Sequence, residues 1–105
     1  MQIQVNTDSS VQGDEGLEAH VRGVIEHSLG RFRGLVTRVE VHLSDENATK
    51  GGSDDKRCMM EARIEGRRPE AVTHFAGTVK ESVSGAAEKL KRALGSTVDK
   101  MQKHR

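Results

Sequence analysis

The sequence predicts an α+β fold: a four-stranded sheet with two helices packed on one of its faces. Three observations carry this expectation. Two stretches repeat apolar residues at the helical period of 3.6. Three others alternate apolar and polar residues, and a fourth extended stretch opens on the single proline. The six segments follow one another in the order βαβββα, which gives three successive antiparallel strands and two amphipathic helices that share one sheet face.

The opening Met1–Asn6 sets Met1, Ile3 and Val5 against Gln2, Gln4 and Asn6, a half-buried strand, β1. Between Asp14 and Phe32, Leu17, Val21, Val24, Ile25, Leu29 and Phe32 recur at helical spacing after an acidic turn, which predicts α1. In Leu35–Ser44, Val39, Val41 and Leu43 alternate with Arg38, Glu40 and His42; in Lys56–Glu65, Cys58, Met60, Ala62 and Ile64 do the same. These are β2 and β3. The Gly, Ser, Asp and Asn between them lack apolar periodicity and read as a long exposed hairpin loop. Pro69 fits only the start or edge of a strand, so Pro69–Ala76 is β4. Thr78 followed by Glu81 is a capping box, in which hydroxyl and carboxylate each satisfy an early backbone N–H, and it starts α2. The apolar positions Val79, Val83, Ala86, Ala87, Leu90, Leu94, Val98 and Met101 keep one face over Val79–Lys103, about 37 Å of helix. Gly85 and Gly95 interrupt that helix at about 1 kcal/mol each relative to Ala, which points to close packing or a slight bend. The polar strand residues Gln2, Gln4, Arg38, Glu40, His42, Glu61, Arg63 and Glu65 fall on the uncovered sheet face.

The 105 residues suit one domain, residues 1–105. With 33% apolar residues and only Phe32 and Phe75 aromatic, the core must be built from Val, Leu, Ile, Met and Ala. Seventeen basic and sixteen acidic residues leave a net charge of +1, so any electrostatic footprint depends on where the charges lie. They are unevenly placed. Ala86–Arg105 holds six Lys or Arg against Glu88 and Asp99, whereas Asp45–Asp55 holds four acids against Lys50. A lone cysteine, Cys58, excludes an internal disulfide or a Cys-rich zinc site and suits a reducing compartment. The N-terminus has no signal-peptide pattern, and no apolar run nears the ~20 residues of a membrane span, so a cytoplasmic protein without a membrane partner is expected.

On a wheel of 100° per residue with Val79 at zero, the apolar stripe of α2 centres near 20°, while Lys89, Arg92, Lys100 and Lys103 fall at about 280°, 220°, 300° and 240°. Four cations on one flank can contact successive phosphates. A solvated face is the commoner role for such a stripe, and Glu81, Glu88 and Asp99 border it. Arg22, Arg31, Arg33 and Arg38, on and after α1, could complete a joint basic groove with α2; Arg67 and Arg68 read as a solvated turn. Without Tyr or Trp, such a surface would read shape and phosphates, not stacked bases.

Nothing in the sequence supports enzymatic activity, a small-molecule substrate or a cofactor. His20 and His27 share a face of α1 but are too few for a zinc site. In the acidic loop, Lys50 and Lys56 stand where a calcium-binding loop starting at Asp45 needs Gly and Glu. Cys58 alternates with core-facing Met60, as a buried small residue does, and Ser9, Ser10, Ser82 and Ser84 lack a nucleophile-elbow context. No glycine-rich phosphate-loop pattern is present.

The opening MQIQV strand, the helix ending Gly30-Arg31-Phe32, the VEVHLS strand and the run Gly85-Ala86-Ala87-Glu88-Lys89-Leu90-Lys91-Arg92-Ala93-Leu94 carry a further signal. Across nearly the whole chain these resemble the short bacterial ribosome-associated factors of the hibernation-promoting and ribosome-associated-inhibitor type, also described as sigma-factor modulation or ribosomal subunit interface proteins. The resemblance implies a fold like a double-stranded-RNA-binding domain. It also implies binding to ribosomal RNA of the small ribosomal subunit near the decoding region, in competition with mRNA, tRNA or initiation factors. Lys89 and Arg92 match the family's basic helix positions, and Lys100 and Lys103 match its basic tail more loosely. Where family members often carry Lys on the first helix this chain has Val24 and His27, leaving Arg22 and Arg31 as substitutes. With the sequence ending at Arg105, the resemblance leads one to expect the short form, without the dimerisation domain of the family's long form. The alternative is a protein-interaction module of the same fold, acting through the acidic loop or an exposed sheet edge.

Overall fold

The computed structural model describes residues 1–46 and 55–103. Six elements appear in the expected order: β1 (Gln2–Thr7), α1 (Glu15–Leu29), β2 (Val36–Asp45), β3 (Lys56–Ile64), β4 (Glu70–Ala76) and α2 (Val79–Lys103). The strands form one sheet in the order β1-β2-β3-β4. β1 runs parallel to β2, and the other two pairings are antiparallel. A parallel neighbour cannot be reached by a tight hairpin, so α1 is the crossover that brings β2 alongside β1. Most of the expected hairpin loop, residues 47–54, lies outside the described residues.

The register explains the core. Ile3 pairs with Val39 and Ala62 lies across from Val39, while Val5, Val41, Met60 and Val72 form the next row. Because successive side chains of a strand point to opposite faces, these rows share one apolar surface. Onto it pack Val21, Ile25 and Leu29 of α1 and Val83, Ala86, Ala87, Leu90 and Leu94 of α2, all fully buried. α2 lies along β3 and β4, and α1 packs against α2 and reaches β1. Ala86 and Ala87, the small buried residues of α2, let the helix approach the sheet closely.

Local chemistry fixes the element ends. Asp14 caps α1, its Oδ1 accepting from the Leu17 N–H at 2.8 Å, and Glu15 and Glu18 in the first turn complement the helix dipole. α1 stops at Leu29, three residues short of the expected end, because Gly30–Phe32 tightens into a 3-10 turn. That turn buries Phe32 and leaves Arg31 exposed. At α2, Thr78 Oγ1 accepts from the Glu81 N–H at 3.1 Å. The carboxylate of Glu81 accepts the Thr78 hydroxyl at 2.9 Å, in place of the backbone N–H of the expected capping box. Between β3 and β4, Gly66 takes φ +76, a left-handed conformation suited to glycine, and Arg67 N–H closes the turn onto Ile64 O at 3.1 Å.

The two glycines of α2 are sites of close approach. A Cβ on Gly85 would overlap the imidazole of His74, which β4 directs toward the helices in the same row as Cys58. A Cβ on Gly95 would stand 3.0 Å from Nη2 of Arg31. The buried polar residues of α2 are satisfied: Ser82 Oγ donates to Val79 O at 2.7 Å, and Thr97 Oγ1 donates to Glu70 Oε1 at 2.5 Å, tying the start of β4 to the helix.

Candidate nucleic-acid interface

With its apolar stripe against the sheet, α2 turns its other side outward, and Lys89, Arg92, Lys100 and Lys103 are all exposed there. Lys89 reaches over the edge of the sheet, where its Nζ donates to the Thr73 carbonyl of β4 at 2.9 Å. Among the described residues, no carboxylate pairs with Lys89, Arg92, Lys100 or Lys103. Lys100 and Lys103 also lie in the last turn, where cations complement the negative end of the helix dipole.

Arg31 joins this surface from the 3-10 turn that follows α1. Its guanidinium carbon lies 4.5 Å from the centroid of the Phe32 ring, and its Nη2 rests against Gly95 of α2. On the wheel used above, Gly95 sits at about 160°, Arg92 at about 220° and Lys89 at about 280°. Arg31, Arg92 and Lys89 therefore follow one another around the outer face of α2.

Arg22 does not join them. It pairs with Glu18 at 3.0 Å, one turn earlier on α1, and lies on the flank of that helix opposite the one facing α2. The spacing from Glu18 to Arg22, an i,i+4 acid followed by base, was the signal in the sequence for this neutralisation. Nor does the expected joint basic groove form. The groove between the helices is lined by His20, Gly23, Val24, His27, Ser84 and Glu88 among others, without a Lys or Arg. Val24 and His27, where the resemblance implied lysine, face into it, so the trough between the helices is neutral to acidic. Arg38, grouped above with the α1 cations, lies on the opposite surface of the protein.

That opposite surface, the open face of the sheet, treats its charges differently. Arg38 contacts Glu40 at 3.1 Å and donates to Gln4, Arg63 contacts Glu61 at 3.3 Å and Glu40 at 3.7 Å, and Arg57 lies 3.9 Å from Glu46. Phe75, 48% exposed, stands beside Arg57 at the β4 edge. A polyanion docking here would have to displace the carboxylates.

The remaining groups have structural partners. At the base of the hairpin, Lys56 Nζ contacts Asp55 at 2.7 Å and Asp45 at 3.4 Å, and the hydrogen bond to Asp55 holds its ammonium above the ordinary lysine value. Residues 47–54, which carry one more loop acid, Asp54, lie outside the described residues. Cys58 is fully buried, and burial pushes its thiol up to about 12. A depression of about 710 Å³ beside the two helix starts is lined by Val11, Leu17 and Val79. The Asp14 and Thr78 oxygens at its rim cap the helices. No group of three or more His, Cys, Asp or Glu is placed to hold a metal, and no helix is long and apolar enough to cross a membrane, among the described residues.

Residues 3–102 match the family model described as sigma 54 modulation protein / S30EA ribosomal protein. The fold is similar to the crystal structure of the N-terminal domain of Protein Y from Thermus thermophilus, with a TM-score of 0.71 and 13% identity over 89% of this chain and 94% of that one. It is similar also to a ribosomal subunit interface protein from Coxiella burnetii, with a TM-score of 0.70 and 16% identity over 94% of this chain and 99% of that one. At these identities the two structures establish the likeness of fold. No curated protein matches the sequence.

Proposed function

Since the chain belongs to the sigma 54 modulation protein / S30EA ribosomal protein family, we propose that it is a ribosome-associated translation-silencing factor. It binds ribosomal RNA of the small subunit near the decoding region and denies mRNA and tRNA that space by occupancy. The observation that supports the RNA-facing side is the contrast in pairing. Arg38, Arg57 and Arg63 on the open sheet face each have a carboxylate within 4 Å, whereas Arg31, Arg92, Lys100 and Lys103 on the helical side have none among the described residues. From Lys89 to Lys100 the stripe runs about 16 Å along the helix, enough to meet more than one phosphate. Each phosphate neutralised adds to the salt dependence of binding, with a slope of roughly 0.7 to 0.9 per contact. Among the described residues no phenylalanine ring is exposed on this side, and the chain has no Tyr or Trp, so recognition runs mainly through backbone shape and charge.

Co-sedimentation with purified small subunits across a salt series tests the reading. The wild type sediments with the subunit and is released steeply as salt rises; the variant Lys89→Glu/Arg92→Glu/Lys100→Glu stays at the top of the gradient. Sedimentation of that variant like the wild type would sink the proposal. A protein-interaction module is the second reading, favoured by the exposure of Phe75 on the edge strand. In that case Phe75→Ser abolishes co-sedimentation and the triple charge reversal leaves it intact.

A further inference from the structure

We propose that Gly95 and Phe32 are positioning residues for Arg31. They seat its guanidinium on α2 so that Arg31 and Arg92 together grip one phosphate of an RNA backbone. The inference rests on the function proposed above and names two residues that never touch the RNA.

Three observations carry it. The Phe32 ring is a fixed platform, because Phe32 is 4% exposed and packed in the core, and the Arg31 guanidinium lies 4.5 Å from its centroid. The far end of that guanidinium meets α2 where the helix has no side chain, with Nη2 3.0 Å from the place a Gly95 Cβ would take. Glycine is otherwise a poor residue for the interior of a helix. Arg92 stands three residues before Gly95, and residues at that spacing are neighbours on a helix surface. Lys91, four residues before, flanks the pair on the α1 side.

The charge balance of this patch favours an anion. Arg31, Lys91 and Arg92 set three positive charges around Gly95 against two acids, Glu88 one turn before Arg92 and Asp99 one turn after Gly95, neither of which forms an ion pair with them among the described residues. Guanidinium groups at neighbouring positions repel one another until an anion lies between them. Their planar forks match the paired oxygens of a phosphodiester better than a point charge does. Arg31 is exposed, so its ordered placement comes from Phe32 and Gly95 and not from burial.

The test exploits two effects of opposite sign. In Gly95→Ala the new methyl meets only the end of a flexible side chain, so the thermal midpoint rises while the Arg31 guanidinium must give way by a few tenths of an ångström, out of its alignment with Arg92. Co-sedimentation with the small subunit then weakens on the order of tenfold, and the salt slope falls by about one. Arg31→Lys keeps the charge, loses the stacked fork and weakens binding to the same degree. The double variant Gly95→Ala/Arg31→Lys is no weaker than either single one, because both act on one contact. A structural role alone would not lower the salt slope of a more stable protein. If the wild type binds and Gly95→Ala binds with the same affinity and slope, the seat is irrelevant and this inference fails by itself. If the wild type does not bind small subunits, the proposed function fails and takes the inference with it.

Discussion

Gly85→Ala is expected to destabilise the protein although alanine is the better helix former. Exchanging glycine for alanine inside a helix favours folding by about 1 kcal/mol. Against this, a Cβ at Gly85 overlaps three atoms of the His74 ring, so the ring must leave its place between β4 and α2. Overpacking of this kind costs about 1–3 kcal/mol. The net is a loss of about 1 kcal/mol, which for a chain of this size lowers the thermal midpoint by roughly 4–8 °C. The decisive measurement is a double-mutant cycle followed by far-ultraviolet circular dichroism. With His74→Ala as background the obstacle is gone, and the same Gly85→Ala change should raise the midpoint by a similar amount. The sign reversal amounts to a coupling of about 2 kcal/mol between two residues of different elements. Stabilisation by Gly85→Ala in the presence of His74, or the same shift in both backgrounds, would refute the packing argument and leave Gly85 without a role.

Two further changes probe other parts of the fold. Thr78→Ala removes the acceptor of the Glu81 N–H and should cost about 1 kcal/mol, read as a lower urea midpoint with an unchanged slope. Cys58 makes stability fall in alkali. The unfolded thiol loses its proton near the ordinary value of 9.0, whereas the buried thiol keeps it to about 12, so above pH 9 the unfolded chain binds fewer protons. The Cys58 contribution is complete below pH 9 and declines as pH rises toward 12; Cys58→Ala should flatten that part of the denaturation profile, and an unchanged profile would contradict the burial. For the same reason a thiol reagent at pH 8 should label Cys58 only as fast as the chain opens.

What could be read from the sequence was set by periodicity and capping. α2 has the bounds that its apolar stripe and Thr78 predict, Val79–Lys103, because both signals are local. The alternation of β2 and β3 sorted core from solvent correctly, down to Cys58 and Met60 in and Glu61 and Arg63 out. Helical spacing carries α1 on to Phe32, whereas the helix ends at Leu29, because a 3-10 turn buries Phe32 equally well. The parallel pairing of β1 with β2 leaves no mark on either strand, since it depends on where the crossover helix lies. The candidate site was legible only as a set of cations on one helix. That Arg22 is paired with Glu18 could be inferred from spacing. That Arg31 meets Gly95, sixty-four positions away, could not, because the contact depends on the packing of α1 against α2.

The separation of paired from unpaired cations also explains how a chain of net charge +1 can present a basic surface. The carboxylates Glu40, Glu46 and Glu61 neutralise arginines on the open sheet face and lie on the far side of the sheet from α2. The protein measures 51 × 24 × 20 Å, so even its shortest dimension exceeds two screening lengths, about 8 Å each at physiological salt. Through water, acids on the sheet face do little to cancel the field of Arg31, Arg92, Lys100 and Lys103. Overall charge is then the wrong quantity for judging such a protein. Within one screening length of Arg92 along α2 lie Lys89 and Lys91 with one acid, Glu88, while Asp99 is two turns away and Arg31 docks against Gly95, three residues on. A phosphate backbone laid here would meet that local balance, to which Arg31, held against α2 at Gly95, adds one more positive charge.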